Sequence, residues 1–440
     1  MRRPDCPPSA ADFSDVTIER IGAEGDGVAT LAGGGRIFLP LTLPGEVVRV
    51  AGNGGREDVA VRQPSPDRVT PPCPHFGTCG GCTLQHWHDD GYAAWKSDLL
   101  RDALRRAGYA DPPIAPIVRS APAQRRRMDF AARRTPHGVA LGLHERTPAK
   151  RERVRAPRTA PIINLSACRV LHPVLLALID PLRPVLHRLQ ALRREASVIG
   201  NLLDHGPDLL LRTDAPLDRG DREHLIAFAR GHHLTRLSWA QGNAEPEPVI
   251  VLHPPCVTLS GVPVDLPPGG FLQATGAGEA AIVRAVLAGL PQHLPGRARV
   301  AELYAGSGSL TFALMQRSRV MAWEGDAAAA ASLRQAANRA GLAGRVTVSM
   351  RDLARQPVMA AELAGFAAVV LDPPFAGAAA QTGQIVAANV PCVIYVSCNP
   401  AVLARDARLL HEAGYALAAA TPVDQFLWSA RLESVCVFHR

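Results

Sequence analysis

Hydrophobic positions change their spacing along the chain, and each change predicts a different architecture. Between Val16 and Val61 the apolar residues fall in short runs, VTIERI, RIFLP, EVVRV and DVAV, parted by glycine-rich turns such as GAEGDG and AGGG. Short runs bounded by glycine predict strands. A series of them predicts a small β-barrel of a kind that often binds nucleic acid. The proline-rich QPSPDRVTPPCP closes this module. A helix is predicted from Gly91 to Ala107, and ASVIGNLLDHGPDLLLRTDAP reads as strands and turns, so the middle of the chain is mixed α+β. From about Gly269 onward, ARVAELY, RVMAWEGD, RVTVSMRD, FAAVVLDPP and CVIYVSCNP are strand-like, with SLTFALMQ and Ala327–Ala340 helical between them. That alternation predicts an α/β domain: an open, mostly parallel, Rossmann-like sheet with helices on both faces. The expected divisions are residues 10–66, 67–265 and 266–440.

Composition adds cores and a partner. The chain has 440 residues, 47% of them hydrophobic, so sizeable cores are expected and disorder is not. The net charge of +8 is concentrated. Between Arg119 and Arg158 there are twelve Lys or Arg against three acids, Asp129, Glu145 and Glu152. Such a stretch predicts contact with a polyanion such as RNA; the plainer alternative is a solvated arginine-rich face. Nine cysteines are present, and Cys73, Cys79 and Cys82 crowd together. A chain this long needs no disulfides, so the crowding predicts metal or catalysis in a reducing cytoplasm. The opening MRRPDCPPSAADF lacks the apolar run of a signal peptide, and no stretch of 18 apolar residues is present, so no membrane association is expected.

The α/β segment carries the chemistry. Glu302–Leu314, ELYAGSGSLTFAL, puts a glycine-rich turn directly after its first strand. Gly306 and Gly308 permit a tight backbone and close ligand approach, with a helix predicted near Ser309. Glu324 ends the next strand, where an acid can accept from ribose hydroxyls. Asp352 ends the third, where an acid can accept from an adenine amino group. Position 311 is Thr, not the third glycine of the usual nicotinamide fingerprint. Together these residues predict a nucleoside cofactor; the alternative is three strand-end turns that merely need Gly and Asp. Asp372-Pro373-Pro374-Phe375 closes the fourth strand at the same crevice edge. Alone, it resembles the motif of amino-group methyltransferases, whose aromatic residue stacks on a flipped adenine.

Tyr395-Val396-Ser397-Cys398-Asn399-Pro400 closes the fifth strand, placing Cys398 at that edge where a helix begins. A helix start predicts a lowered thiol pKa. A small buried strand cysteine is the plainer reading, and it suits Cys392 better. Carbon 5 of uracil needs such a thiolate. Attack on carbon 6 makes carbon 5 nucleophilic enough to take a methyl group, after which a base must remove the carbon 5 proton. Glu433, ahead of the final strand SVCVFH, is the candidate base; a surface acid at a strand start is its alternative.

These motifs together resemble the RNA uracil-C5 methyltransferase family, over nearly the whole length, and in particular its iron–sulfur-bearing 23S rRNA members. V-S-C-N-P is similar to the family's nucleophile motif at Cys398, and L-E-S to its base at Glu433. The resemblance implies a class I methyltransferase domain, preceded by a TRAM-like barrel and a mixed central domain. It implies S-adenosylmethionine held at Gln273 (in G-G-F-L-Q), Tyr304, Ser309, Glu324, Asp352 and Asp372. It implies a [4Fe-4S] cluster on Cys73, Cys79, Cys82 and Cys168, whose first three show C-x5-C-x2-C spacing. Structural zinc is the chemical alternative. The implied substrate is a uridine in 23S rRNA, with transfer RNA as runner-up, and the implied state is a monomer. Two positions depart from the pattern: Phe375 stands where the family usually has Arg, and Arg431 where it often has His. Two rival readings remain at this point. One is an adenine amino-methyltransferase using D-P-P-F; the other is an RNA-binding assembly factor with a degenerate fold.

Overall fold

The computed structural model describes residues 13–51, 59–146, 160–294 and 298–440. Its contacts divide into two compact units. The first holds the chain up to Trp95, a short piece beginning at His144, and Trp428–Ala430. The second holds the remainder.

In the first unit the short apolar runs form two three-stranded antiparallel sheets. Phe13–Thr17, Val47–Ala51 and Ala60–Gln63 make one; Arg20–Ile21, Gly27–Thr30 and Arg36–Leu39 make the other. VTIERI is not one strand. Ile18 donates its N–H to Glu46, just ahead of the first sheet's strand Val47–Ala51, and Glu19 donates to Val28 of the second, so the chain changes sheets between them. Val16, Ile18, Ala29, Leu39, Val48 and Val50 then share one core, which makes the module barrel-like. Gly27–Thr30 was not among the expected strands. A Cβ at Gly27 would lie 2.1 Å from the Thr42 hydroxyl, so this strand depends on a glycine that propensity reads as a turn.

In the second unit a seven-stranded sheet runs, in order, Ile162–Asn164, Gly138–His144, Arg127–Thr135, Glu195–Leu203, Gly206–Thr213, Arg236–Gln241 and Glu247–Val251. The predicted strands and turns become the hairpin Glu195–Leu203/Gly206–Thr213. The expected helix is found at Asp89–Ala107.

The eight-stranded sheet of the same unit runs Val346–Met350, Arg319–Glu324, Arg299–Leu303, Ala368–Leu371, Cys392–Ser397, Glu433–His439, Ala416–Asp424 and Val118–Arg119. The first five strands are parallel; Glu433–His439 is antiparallel to both neighbours. Alternate residues enter different cores: Ile394 and Val396 join one, Val393 and Tyr395 the other. Burial on both faces explains why these strands read as unbroken apolar runs. The order reverses between Arg299–Leu303 and Ala368–Leu371, which opens a crevice at their carboxyl ends.

Candidate active site

The glycine-rich turn leaves the first strand through Tyr304, whose φ of 64° is left-handed. Gly306 (φ 56°) and Gly308 (φ 107°) continue the strained path. Their roles differ. A Cβ at Gly308 would meet Leu333 and Phe312 within 2.7 Å, so that glycine serves packing. A Cβ at Gly306 would meet nothing within 4 Å, so that one borders open space. The helix starts at Thr311, slightly later than expected, with Ser309 half-buried ahead of it. Glu324 accepts from the N–H groups of Gly306 (2.7 Å) and Asp326 (2.7 Å), which fixes its carboxylate at the strand end. Asp352 is exposed and accepts from Ala354 N–H at 3.0 Å.

Acids dominate the crevice. Glu302 is buried at 1% exposure, its Oε2 has no partner, and burial pushes its pKa up to about 8. Burial also raises the Asp372 carboxyl well above the ordinary carboxylate range. A cationic sulfonium cofactor placed among these buried acids would favour their ionised forms. The open space beside Gly306 and the fixed Glu324 suit its nucleoside end. The donor set therefore fits S-adenosylmethionine.

Cys398 and Glu433 come together through sheet register. Ser397 pairs with Ser434 across the antiparallel ladder, and the next step along each strand brings Cys398 level with Glu433. Glu433 is not the surface acid of the alternative reading: it is buried at 4% exposure. Its Oε2 accepts from Gln425 Nε2 at 2.9 Å, while Oε1 has no partner. Burial, with Asp372 nearby, raises its pKa above the carboxylate range. Gln425 Nε2 also donates to Gln273 Oε1 (2.7 Å), and Gln273 Nε2 donates to Asp372 (3.3 Å). One polar chain therefore joins Glu433, Gln425, Gln273 and Asp372.

The expected lowering of the Cys398 pKa is reversed. Asn399 does cap the following helix, Pro400–Glu412, by accepting from Ala401 and Val402. Burial and the carboxylates of Glu433 and Asp372 outweigh that helix start, and the thiol is pushed up to about 11. Cys398 remains half-buried, whereas Cys392 and Cys436 lie wholly within their strands.

The two departures from the family pattern meet each other. The Arg431 guanidinium lies 4.3 Å from the centre of the Phe375 ring, itself half exposed. Lys96, fully buried, donates to the Arg431 carbonyl and pairs with Asp424 at 3.0 Å. Sequence reasoning missed Lys96 and Gln425. The signal for Gln425 was available, since V-D-Q places a polar residue directly after a strand that pairs with the strand beginning at Glu433.

The basic stretch is largely internal where it is described. Arg126 donates to the Gln273 carbonyl (3.0 Å) and to Glu279 (2.5 Å), and Arg127 to the Leu272 carbonyl (3.0 Å). These bonds brace the segment that carries Gln273. Arg134 binds the carbonyls of Leu189 and Leu192, each at 2.8 Å. Lys150, Arg151, Arg153, Arg155 and Arg158 lie outside the described residues.

Cys73, Cys79, Cys82 and Cys168 are half-buried and form no disulfide. The Gly81 N–H points at Cys79 Sγ, 3.5 Å away, as suits a thiolate. Among the described residues, however, no three His, Cys, Asp or Glu side chains are grouped to hold a metal ion. The thiols fit a cluster by their chemistry. No helix among the described residues is long and apolar enough to cross a membrane.

Comparison with known proteins gives three levels of likeness. The Conserved hypothetical protein 95 family model matches residues 280–390. An uncharacterized RNA methyltransferase of Brucella melitensis is 40% identical over 98% of this chain and 98% of its own. The 23S rRNA (uracil(1939)-C(5))-methyltransferase RlmD of Chromohalobacter salexigens is 35% identical over 98% of this chain and 90% of its own. Among solved structures, the Pyrococcus abyssi tRNA (uracil-54, C5)-methyltransferase in complex with S-adenosyl-L-homocysteine superposes with a TM-score of 0.69. It shares 18% identity, covering 97% of this chain and 100% of that one, which establishes a common fold.

Proposed function

Since this chain belongs to the RNA uracil-C5 methyltransferase family, we propose that it methylates carbon 5 of a uridine in 23S rRNA, with Cys398 as nucleophile and Glu433 as base. The observation that carries this reading is the buried Glu433 carboxylate, one oxygen unpartnered, brought level with Cys398 by the sheet register.

S-adenosylmethionine supplies an electrophilic methyl group. Gln273, Tyr304, Gly306, Ser309, Glu324, Asp352 and Asp372 are proposed to hold it. Cys398, half-buried and so in touch with solvent, loses its proton to water and bonds to carbon 6 of a flipped uracil. The ring's electrons shift toward carbon 5, which would take the methyl group as the sulfonium's S–C bond breaks and its electron pair stays on sulfur, leaving a neutral thioether. Glu433 Oε1 then accepts the carbon 5 proton, the C5=C6 double bond re-forms, and the C6–S bond breaks to return the thiolate. A cationic cofactor in the crevice would favour the Cys398 thiolate. The amino-methyltransferase reading leaves Cys398, Glu433 and Gln425 without a role.

We also propose the four cysteines as cluster ligands, since four thiolates are the donor set such a cluster needs. Anaerobically purified protein should then be brown, with about four irons per chain. Zinc without iron would overturn this.

The functional test is a map of 5-methyluridine in RNA from cells with and without the protein. Loss of one 23S rRNA site supports the reading. An unchanged 23S map, or a lost transfer RNA site instead, contradicts it.

A further inference from the structure

Gln425 follows the strand Ala416–Asp424 and is 3% exposed, with every strong valence of its amide committed. Its Oε1 accepts from the Ala274 N–H at 3.0 Å. That contact sets the amide's orientation, because a flipped group would face N–H against N–H. Nε2 must therefore present its two hydrogens to Gln273 Oε1 and Glu433 Oε2, at 2.7 and 2.9 Å. Gln273 in turn can offer only its Nε2 to Asp372.

The surroundings leave this side chain one position. A Cβ on Gly278 would lie 2.7 Å from Gln425 Cβ and 3.1 Å from its Oε1, so glycine at 278 makes the room. Thr275 caps the same helix, Gly276–Gly289, by accepting from the Gly278 N–H at 3.0 Å. The Thr275 hydroxyl is itself hydrogen-bonded to Ser120 at 2.6 Å.

We propose that Gln425 is a positioning residue that makes Glu433 a one-sided base: it ties down Oε2 and leaves Oε1 alone to receive the carbon 5 proton. This rests on the assignment of Glu433 as base. A proton placed on Oε2 would meet an N–H that already points there, so protonation is directed to the unpartnered oxygen. In the elimination step the C5–H electron pair becomes the C5=C6 bond, the C6–S pair returns to sulfur, and the proton ends on Oε1. The Gln425 hydrogen bond also favours the ionised carboxylate against its burial. Through Gln273 the same amide ties the base to Asp372 at the cofactor side of the crevice.

The test separates proton removal from the earlier steps. In-vitro-transcribed 23S rRNA, made with uridine or with 5-fluorouridine, is reacted with S-adenosylmethionine under single-turnover conditions. Fluorine cannot be removed as a proton, so the fluorinated RNA reports bond formation at Cys398 and methyl transfer but not the work of Glu433. Gln425→Met should form the adduct within about threefold of the wild-type rate. On uridine RNA it should release product at least about tenfold more slowly, as loss of a hydrogen bond to a charged group implies. The acid limb of its pH profile should move to higher pH, because the carboxylate loses a donor. Gln425→Leu should show the same split, so that a folding defect in one variant does not decide the matter. Equal slowing of both reactions, or no slowing of either, would overturn the proposal. A wild-type protein that methylates uridine RNA yet forms no adduct would overturn the covalent reading and this inference with it.

Discussion

At the residue scale, the behaviour of Cys398 follows from two opposed influences. The helix behind it favours thiolate, and burial beside two carboxylates favours thiol; the structure gives the second the larger weight. Alkylation of Cys398 by iodoacetamide should therefore be slow at pH 7 and should climb steeply above pH 9. At pH 9, where its carboxylate is largely ionised, Glu433→Gln should speed alkylation several-fold while abolishing turnover. An unchanged alkylation rate would mean that the two side chains do not share a field. Glu302 gives a stability prediction. Its folded pKa is about 8 against an ordinary 4.5, so the folded state holds the proton longer than the unfolded chain does. Stability from this group is complete below pH 4.5 and is lost as pH rises through 8. Thermal melts of Glu302→Gln should therefore gain on the wild type as pH rises across that window, by at most about 5 kcal/mol. A constant difference across the window would contradict the shift.

At the element scale, the strands legible in sequence were those whose apolar runs are buried on both faces, such as Val393–Val396. The position of Cys398 at a strand end was legible for a related reason, because strand carboxyl ends in such sheets face the crevice. Gly27–Thr30 was not, since its glycine answers to a neighbour distant in sequence. Nor was the fate of Arg126 and Arg127: their charge suggested a surface, but their partners, the carbonyls of Gln273 and Leu272, lie some 145 residues away. The buried Lys96–Asp424 pair closes the end of the strand Ala416–Asp424 and grips the Arg431 carbonyl. Lys96→Met should lower unfolding free energy by about 3–5 kcal/mol in urea titration, because it breaks a buried ion pair by removing one partner. The double variant with Asp424→Asn should recover much of that loss. Failure to recover would show that Lys96 acts through packing alone.

At the scale of the whole molecule, we propose two uses for the +8 charge. Arg126, Arg127 and Arg134 hold backbone carbonyls together. Lys150, Arg151, Arg153, Arg155 and Arg158 are left as the candidates for phosphate contact. Replacing Lys150, Arg151 and Arg153 by Ala should reduce the salt slope of RNA affinity by roughly 0.7 per lost contact. Arg134→Ala should lower the melting temperature, because its bonds to the Leu189 and Leu192 carbonyls are lost. Both scales meet at the crevice, where the proposed chemistry depends on one thiol. The most direct measurement is intact mass spectrometry of the protein after reaction with 5-fluorouridine-substituted 23S rRNA and S-adenosylmethionine. The wild type should carry a covalent RNA adduct bearing one transferred methyl group, with its bond mapped to Cys398, and Cys398→Ala should carry none. An unmodified wild type that is nonetheless turning over uridine RNA, or a methylating Cys398→Ala, would contradict the account.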